Sequence, residues 1–285
     1  MSASAPPTIT VLPSRGAVMR RAGHENFTVA SAVLGRRRQT HLLAIYGFAR
    51  LVDDVGDEAA GDRGAMLELI EGELDSIYAG ERPEHAVMST LADTVWSCGL
   101  PTAPFRRLLE ANRLDQLVTR YETFDQLLSY CQLSAAPVGE LVLHVFDAAT
   151  PERIVLSDRI CAGLQVTEHL QDVGQDYARG RIYLPLADLA RFGGAERDLP
   201  AWLETASGRA LIAFEAHRAH ALLSGGAPLA PTLALRPRIA VAGFIAGGRA
   251  ALRALERASD PAGRADRVGH RHGFAAAFLK AAVGR

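Results

Sequence analysis

The chain has 285 residues, of which 48% are apolar and 22% charged, as expected of a globular protein with a sizeable core. A net charge of −1 argues against nucleic acid as a partner, because nucleic-acid-binding surfaces need a broad positive field. Three separated cysteines, Cys98, Cys131 and Cys161, argue against a disulfide framework or a structural zinc site and favour the reducing cytoplasm. No signal-peptide pattern is present, and the longest apolar stretch, 239–248, is about half of a membrane span.

Apolar residues at helical spacing predict helices along almost the whole chain, after a loose Pro/Ser/Ala-rich arm over residues 1–22. The predicted helices cover about 26–56, 64–79, 85–98, 102–120, 124–146, 151–178, 199–223, 232–258 and 272–282. Gly or Pro marks most of the breaks between them, and no alternating strand pattern or internal repeat interrupts the series. We therefore expect a single all-α domain over residues 23–285.

The first acidic cluster lies in the segment RLVDDVGDE, where Asp53 and Asp57 are four residues apart. On a helix their carboxylates lie on one face, one turn apart, and they repel one another in the absence of a cation. A solvated acidic helix end is the more common reason for such a cluster taken alone. The apolar residues that precede it, LLAIYGFARLV, instead place these carboxylates at the end of a buried helix.

A second acidic cluster, more than a hundred residues later, favours a metal site. Glu168, Asp172 and Asp176 form one stripe of a helix, and Gln165 lies on the same side one turn earlier. Two such stripes in apolar surroundings indicate two helices that face each other across a cavity. Carboxylates at this spacing suit Mg²⁺, which binds few protein carboxylates and keeps other positions for water and phosphate oxygens. No Cys joins either stripe, and His169, which points about 100° away from the second, is the one candidate His.

Arginines flank both acidic clusters. They are Arg36, Arg37, Arg38, Arg50, Arg179 and Arg181. Arg50 lies three residues before Asp53 and therefore on the same helix face. Each arginine taken alone is more commonly a surface residue. As a set beside metal-binding carboxylates they indicate a site for a diphosphate leaving group, whose negative charge must be neutralised.

From about residue 24 to 260 the chain resembles the squalene/phytoene synthase family. The family motif Tyr-x-x-x-Arg-x-x-Asp-x-x-x-Asp corresponds here to Tyr46, Arg50, Asp53 and Asp57. The second motif, Gln-x-Thr-Asn-x-x-Arg-Asp-x-x-x-Asp followed by Gly-Arg and an aromatic before Pro, corresponds to Gln165, Thr167, Glu168, Gln171, Asp172, Asp176, Gly180, Arg181, Tyr183 and Pro185. The resemblance implies an all-α helical bundle of the class I isoprenoid synthase type with a central cavity. Mg²⁺ and an isoprenoid diphosphate would lie between two acidic helices, with the prenyl tails in an apolar tunnel.

The resemblance and the residue patterns together give a set of candidate site residues. The candidate metal ligands are Asp53, Asp57, Glu168, Asp172 and Asp176. The candidate substrate-binding residues are Ser31, Gln165, Arg179, Arg181 and Tyr183. The candidate catalytic residues are Tyr46, Arg50 and Tyr130. The two catalytic tyrosines are expected to face a carbocation or to orient a water, with plain packing as the alternative for each.

Three departures from the condensing members of the family point to one branch. Glu168 stands in place of Asn and Gln171 in place of Arg, and the segments ENFTVAS and YCQLSAAPVG also differ from the condensing enzymes. These features resemble the hydroxysqualene synthase branch of bacterial hopanoid pathways. Enzymes of that branch ionise presqualene diphosphate and let water capture the rearranged carbocation. We therefore expect a lyase or transferase that gives hydroxysqualene.

Other readings of the sequence stay open. Head-to-head condensation of two prenyl diphosphates to squalene or phytoene differs only in substrate number and tail length. A family member repurposed as an assembly or scaffold protein is less favoured, because both acidic stripes are intact. The absence of a GxGxxG after a predicted strand weakly favours water over a nicotinamide hydride as the quencher. The basic residues of the last 25 fit either a solvated tail or peripheral contact with anionic lipid at the inner membrane face. The oligomeric state does not follow from the sequence.

Overall fold

The computed structural model describes residues 12–24 and 35–259, and this part of the chain is almost entirely helical. The elements are α1 (Arg15–His24), α2 (Arg36–Asp57), α3 (Arg63–Tyr78), α4 (Ala86–Cys98), α5 (Thr102–Leu114), α6 (Phe124–Ser134), α7 (Ala136–Val145), α8 (Pro151–Ala178), α9 (Leu186–Arg191), α10 (Leu199–Leu203), α11 (Ala206–Gly226), a 3₁₀ helix (Ala227–Thr232) and α12 (Leu235–Ser259). Within the described ranges, extended pairing is limited to one isolated parallel bridge between Arg120 and Ile182. The prediction of an all-α bundle is confirmed.

Helix α2 carries the first acidic cluster at its C-terminal end. Its residues from Leu42 to Gly56 are mostly buried, and it packs against α1, α3, α4, α5 and α7. Because these helices enclose most of its second half, the charged groups of Arg50 and Asp54 near its end are buried with it. The core of the bundle therefore positions the Asp53/Asp57 stripe.

Helix α8 carries the second acidic cluster and is the longest helix, at 28 residues. Thr150 caps its start by accepting a hydrogen bond from the Arg153 backbone N–H, and Pro151 fixes φ in the first turn. The helix ends shortly before Gly180, whose φ of 79° is a conformation that glycine adopts without strain. Between its capped start and its end, α8 packs against α6, α7, α11 and α12.

A close helix contact holds α8 against α11. A Cβ atom on Gly163 would lie 2.9 Å from Leu223 Cγ and 3.1 Å from the Ala219 carbonyl oxygen. No larger side chain fits at this crossing without displacing backbone, so the glycine allows the two helices to approach. The crossing lies one to four turns before the acidic stripe and fixes the helix that bears it.

The structure differs from several of the predicted helix boundaries. The helix predicted over 124–146 is two helices that meet at Ala135, because Pro137 has no N–H to continue the bonding of α6. The helix predicted over 199–223 divides where Thr205 caps α11. Helix α9 was not predicted, and the predicted helix at 272–282 lies outside the described residues.

The structure describes a helix within the arm that was predicted over residues 1–22. Residues from Arg15 to His24 form α1, which packs on α2 through the fully buried Val18. Val18 and Met19, the apolar residues of α1 that pack on the core, are too short a pattern to indicate helical periodicity in the sequence. The extent of the domain, 23–285, stays a prediction. None of the helices in the described ranges is both long enough and apolar enough to cross a membrane.

Candidate active site

The end of α2 gathers the carboxylates of the first motif. Asp53 is partly buried and accepts a hydrogen bond from Asn112 Nδ2 of α5 at 3.3 Å. Arg50 does not contact Asp53; its Nη2 lies 2.6 Å from Asp54 Oδ1 in a buried ion pair. Asp57, in the last turn, is exposed at the rim. Arg50 therefore neutralises the buried Asp54, while Asp53 and Asp57 form the stripe.

Negative charge is concentrated around Asp53. Burial, together with the charges of Asp57, Asp54 and Asp115, raises the pKa of Asp53 to about 7, although the hydrogen bond from Asn112 opposes them. A carboxylate with such a raised pKa lacks a compensating cation. The electrostatics at the end of α2 therefore fit a bound divalent cation.

The second stripe emerges from the core where α8 loses its packing partners. Glu168 is buried, whereas Asp172 and Asp176 are partly buried. Gln165, one turn earlier, is buried and lies 3.0 Å from His169 through the two side-chain nitrogens. His169 also lies 3.8 Å from Asp176, so the structure places it beside the second stripe. Its 100° offset was measured from Glu168, and seven residues of helix bring it almost in line with Asp176.

The segment after α8 bends back towards α2. Arg181 Nη1 lies 2.6 Å from Asp57 Oδ1, which links the two motifs directly. Ile182 donates its backbone N–H to Thr119, and Arg120 donates to the Gly180 carbonyl at 2.6 Å. These bonds fix the 180–183 segment beside the chain that follows α5. The ends of α2 and α8 thus lie on the same side of the protein, while a central cavity between the stripes stays a prediction.

Four aromatic rings meet beside the two stripes. Tyr183 stacks on His169, with ring centroids 3.9 Å apart, and lies 5.6 Å from Tyr130 and 5.8 Å from Tyr121. Asp115, at the end of α5, accepts hydrogen bonds from Tyr130 at 2.7 Å and Tyr183 at 3.2 Å. Burial raises the pKa of Asp115 to about 6, while the Tyr130 hydrogen bond and Arg181 lower it. One carboxylate therefore orients two of the three tyrosines.

Two polar atoms at this cluster are buried without a hydrogen-bond partner in the described part of the chain. They are the hydroxyl of Tyr121 and Oε1 of Gln165. Such atoms need a water or a ligand group to replace the hydrogen bonds that burial removes. Gln165 adjoins the aromatic cluster through His169, and Tyr121 adjoins it through Tyr183.

Sequence reasoning missed Asp115, Tyr121 and Asn112. No motif contains them, and each reaches the site only because α5 and the chain after it pack against α2 and the 180–183 segment. A lone Asp at a helix end and an isolated Tyr give no periodic signal. His169 could have been found by measuring its helix angle from Asp176.

The arginines at the start of α2 lie far from the acidic stripes. Arg36, Arg37 and Arg38 are about 30 Å from Asp57 at 1.5 Å per residue, so they do not belong to a diphosphate site there. Arg179 is exposed at the C-cap of α8 beside the second stripe, Tyr46 is fully buried on α2, and their roles in the site stay predictions. Ser31 and the ENFTVAS segment lie outside the described residues, as do the basic residues at the C-terminus.

The donor chemistry fits Mg²⁺. Every candidate ligand is a carboxylate, the class of hard oxygen donor that Mg²⁺ prefers, and the crowding around Asp53 requires positive charge. Across 12–24 and 35–259, no three Asp, Glu, His or Cys side chains converge closely enough to hold an ion by themselves. Phosphate oxygens and water would therefore supply part of any coordination sphere here, as is usual for Mg²⁺ in sites that bind phosphates.

The comparison with family models decides the class. The squalene/phytoene synthase model matches residues 20–271 of this chain. The chain belongs to the squalene/phytoene synthase family. Both the resemblance of the two motifs and the prediction that the chain is an enzyme of isoprenoid biosynthesis are thereby confirmed.

Individual relatives refine this placement. The chain is 38% identical to the hydroxysqualene synthase of Rhodopseudomonas palustris over 216 residues, which are 72% of this chain and 70% of that protein. It is 33% identical to the 15-cis-phytoene synthase of Synechococcus elongatus over 210 residues, 68% of each chain. The crystal structure of squalene synthase HpnC from Alicyclobacillus acidocaldarius superposes with a TM-score of 0.80 at 42% identity, covering 86% of this chain and 94% of that one. This family member thus has the isoprenoid synthase fold.

Proposed function

We propose that this protein ionises presqualene diphosphate in a Mg²⁺-dependent reaction and that water captures the rearranged carbocation, giving hydroxysqualene and diphosphate. The observation that carries the proposal is that Gln165 Oε1 on α8 and the Tyr121 hydroxyl in the aromatic cluster are both buried without a hydrogen-bond partner in the described part of the chain. A tunnel that only protects a carbocation has no use for buried, unpartnered acceptors and donors. A tunnel that delivers one water to the cation needs them.

The two stripes would hold the metal and the leaving group. Asp53 and Asp57 from α2, with Glu168, Asp172 and Asp176 from α8, are the residues that would bind Mg²⁺. When bound, the ion neutralises the charge that develops on the departing diphosphate. Arg181, which lies beside Asp57, and the exposed Arg179 add guanidinium groups that suit phosphate oxygens.

The aromatic cluster would act on the carbocation and on water. The ring faces of Tyr121, Tyr130 and Tyr183 carry partial negative charge, which stabilises a nearby cation. Because Tyr130 and Tyr183 both direct their hydroxyl hydrogens to Asp115, the Tyr121 hydroxyl is left to orient a water. Gln165 Oε1 accepts a second hydrogen bond from that water.

The alternative is head-to-head condensation of two prenyl diphosphates. Its support is the 33% identity to a phytoene synthase and the name squalene synthase carried by the HpnC structure. The 38% identity to a hydroxysqualene synthase, against 33% to the phytoene synthase, and the buried unpartnered atoms of Gln165 and Tyr121 favour water capture. Both reactions begin by ionising an isoprenoid diphosphate, so the acidic stripes do not separate them.

Product analysis separates the two reactions. The purified chain is incubated with Mg²⁺ and presqualene diphosphate, with and without NADPH, and in parallel with farnesyl diphosphate and NADPH. We expect hydroxysqualene from presqualene diphosphate in the absence of NADPH, and no efficient conversion of farnesyl diphosphate. Efficient formation of squalene from farnesyl diphosphate and NADPH by this chain alone would establish the condensing alternative.

A further inference from the structure

A basic cavity lies at the opposite end of α2 from the acidic stripe. Its volume is about 470 Å³, and α2, α4, α12 and the chain after α7 supply its walls. Arg36, Arg37 and Arg38 line it from the first turn of α2, and Arg236 lines it from α12. About 30 Å of helix separates it from Asp57, so the candidate active site does not account for these four cations.

The charges at this cavity oppose the helix on which they lie. The N-terminus of a helix carries partial positive charge, which acidic side chains or bound anions stabilise. The first turn of α2 has no acidic residue, and its N-cap, Gly35, offers no side chain to the free backbone N–H groups. Three consecutive arginines therefore add positive charge where α2 is already positive. A bound anion would relieve this repulsion.

The four arginines are also available to bind an anion. Within the described ranges, none of the four forms an ion pair with a carboxylate, and Nε of Arg38 is buried without a hydrogen-bond partner. The guanidinium of Arg38 lies 5.2 Å from the ring centroid of Phe146, which holds the side chain in place. Arg236 Nη1 lies 3.2 Å from the position that a Cβ of Gly35 would take, so the glycine, at φ 82°, lets this guanidinium approach the helix start. The donors are thus positioned by packing.

His41 adds a further donor or acceptor to the same wall. Its Nδ1 lies 3.1 Å from Thr94 Oγ1, while its Nε2 is buried without a partner in the described part of the chain. Burial and the charge of Arg37 lower the pKa of His41, which favours the neutral ring near pH 7. A neutral ring whose Nδ1 accepts from Thr94 carries its proton on Nε2 and can donate it.

We propose that this cavity is a binding site for a phosphate-bearing anion. Guanidinium groups bind phosphate oxygens in pairs, and the uncapped N–H groups at the start of α2 add neutral donors. The phosphate can belong to a soluble compound or to a phospholipid headgroup. Leu235 and Ile239, 69% and 46% exposed, flank Arg236 on α12 and give a headgroup's acyl chains an apolar contact. The proposal does not depend on the reaction at the other end of α2.

Asp147 provides a variant that should strengthen binding. It is the one carboxylate among the residues that line the cavity, and its φ of 54° is a conformation that Asn tolerates. Asp147→Asn therefore removes the competing negative charge while it keeps the backbone. In calorimetric titration with inorganic phosphate, we expect this variant to bind more tightly than the wild-type chain by a few-fold.

The loss-of-function arm uses the double variant Arg37→Gln/Arg236→Gln. It should weaken phosphate binding at the cavity about tenfold or more, because two charge-assisted contacts are lost. Arg253→Gln, an exposed arginine on the same α12, is the matched control and should leave binding unchanged. All titrations are repeated in an Arg181→Gln background, which weakens phosphate binding at the candidate active site and leaves the cavity intact.

A vesicle arm identifies the source of the phosphate. Cosedimentation with vesicles that contain phosphatidylglycerol, but not with pure phosphatidylcholine, and its loss in the double variant would identify a lipid headgroup. Phosphate binding without vesicle binding would identify a soluble ligand. Equal binding by the wild-type chain and the double variant in both arms, or an equal loss in Arg253→Gln, overturns the proposal. If the double variant does not fold, as judged by circular dichroism, an unchanged affinity in Asp147→Asn overturns it instead.

Discussion

Arg181 Nη1 lies 2.6 Å from Asp57 Oδ1, and this ion pair joins the segment after α8 to the last turn of α2. The Arg181 side chain is 14% exposed and that of Asp57 is 33% exposed, so solvent screens the pair only in part. Its significance is its position, because it brings a guanidinium of the second motif to a carboxylate of the first. We infer that Arg181 neutralises Asp57 in the ligand-free protein and turns to the diphosphate when a cation binds at Asp57.

The carboxylate stripes should be essential for turnover. We expect Asp53→Asn and Asp172→Asn each to lower the rate of presqualene diphosphate ionisation by orders of magnitude, because an amide binds Mg²⁺ poorly. EDTA should abolish activity and added Mg²⁺ restore it. The matched control is Asp93→Asn, an exposed carboxylate paired with Arg82. Full activity in either stripe variant would show that the stripe is only a solvated helix face.

Glu168→Gln separates two roles of this buried carboxylate. We predict that Glu168 mainly binds metal, since it shares a stripe with Asp172 and Asp176. The variant should then ionise its substrate more slowly and still give hydroxysqualene as the main product. Gas chromatography of the products, together with single-turnover rates, checks both points. A shift towards uncaptured hydrocarbons at an unchanged rate would instead assign Glu168 to water positioning.

The tyrosines should differ in their effects on stability. Tyr130→Phe removes a donor from the buried Asp115 and should lower the free energy of unfolding by roughly 1–3 kcal/mol. Tyr121→Phe removes a hydroxyl without a partner in the described part of the chain and should leave the free energy of unfolding nearly unchanged. Urea unfolding measures both. If Tyr121 orients the capturing water, its variant should also release more hydrocarbon product, and an unchanged product ratio would exclude that role.

A buried carboxylate on α11 should make stability depend on pH. Burial raises the pKa of Glu215 from its ordinary value of 4.5 to about 7, with Asp188 adding to the effect and Arg218 opposing it. Between these values the folded chain binds more protons than the unfolded chain, so this contribution to stability is lost as pH rises from 4.5 to 7. The free energy of unfolding of Glu215→Gln should therefore rise relative to that of the wild-type chain by on the order of 2 kcal/mol between pH 4.5 and pH 7.

Urea unfolding at a series of pH values tests the Glu215 prediction. The exposed Glu256→Gln is the control and should keep the wild-type pH dependence. Parallel stability curves for the wild-type chain and Glu215→Gln between pH 4.5 and 7 would contradict the assignment. Because Arg218 keeps its 2.5 Å contact with Asp188, the substitution leaves no unpaired cation.

Regular helices were predictable from the sequence, while their interruptions were less so. The boundaries of α8 follow from Thr150, Pro151 and Gly180, which act within a few residues of the helix ends. The break at Ala135 also had a local signal in Pro137, but the apolar pattern runs through it and favoured one helix. Local chemistry therefore sets the boundaries, and apolar periodicity alone overextends them.

The candidate site was predictable as far as its motifs extend. Asp53, Asp57 and Arg181 were singled out by spacing, and the structure brings the last two together. Asp115 could not be predicted from the sequence, because its partners Tyr130 and Tyr183 lie in two other segments and contact it only in the folded protein. Arg36–Arg38 were misassigned for the opposite reason, because sequence proximity to Asp53 hides the length of α2.

The order of charges along α2 has a consequence for how that helix is held together. Arginines occupy its positive end and aspartates its negative end, the reverse of the arrangement that stabilises an isolated helix. A peptide of residues 36–57 alone would fray from both termini, and in the protein packing secures the mostly buried stretch from Leu42 to Gly56 but not the first turn or Asp57. Counter-ions bound at the two ends would stabilise the first and last turns of α2 independently. Hydrogen exchange at each end would then measure the effect of the ion bound there.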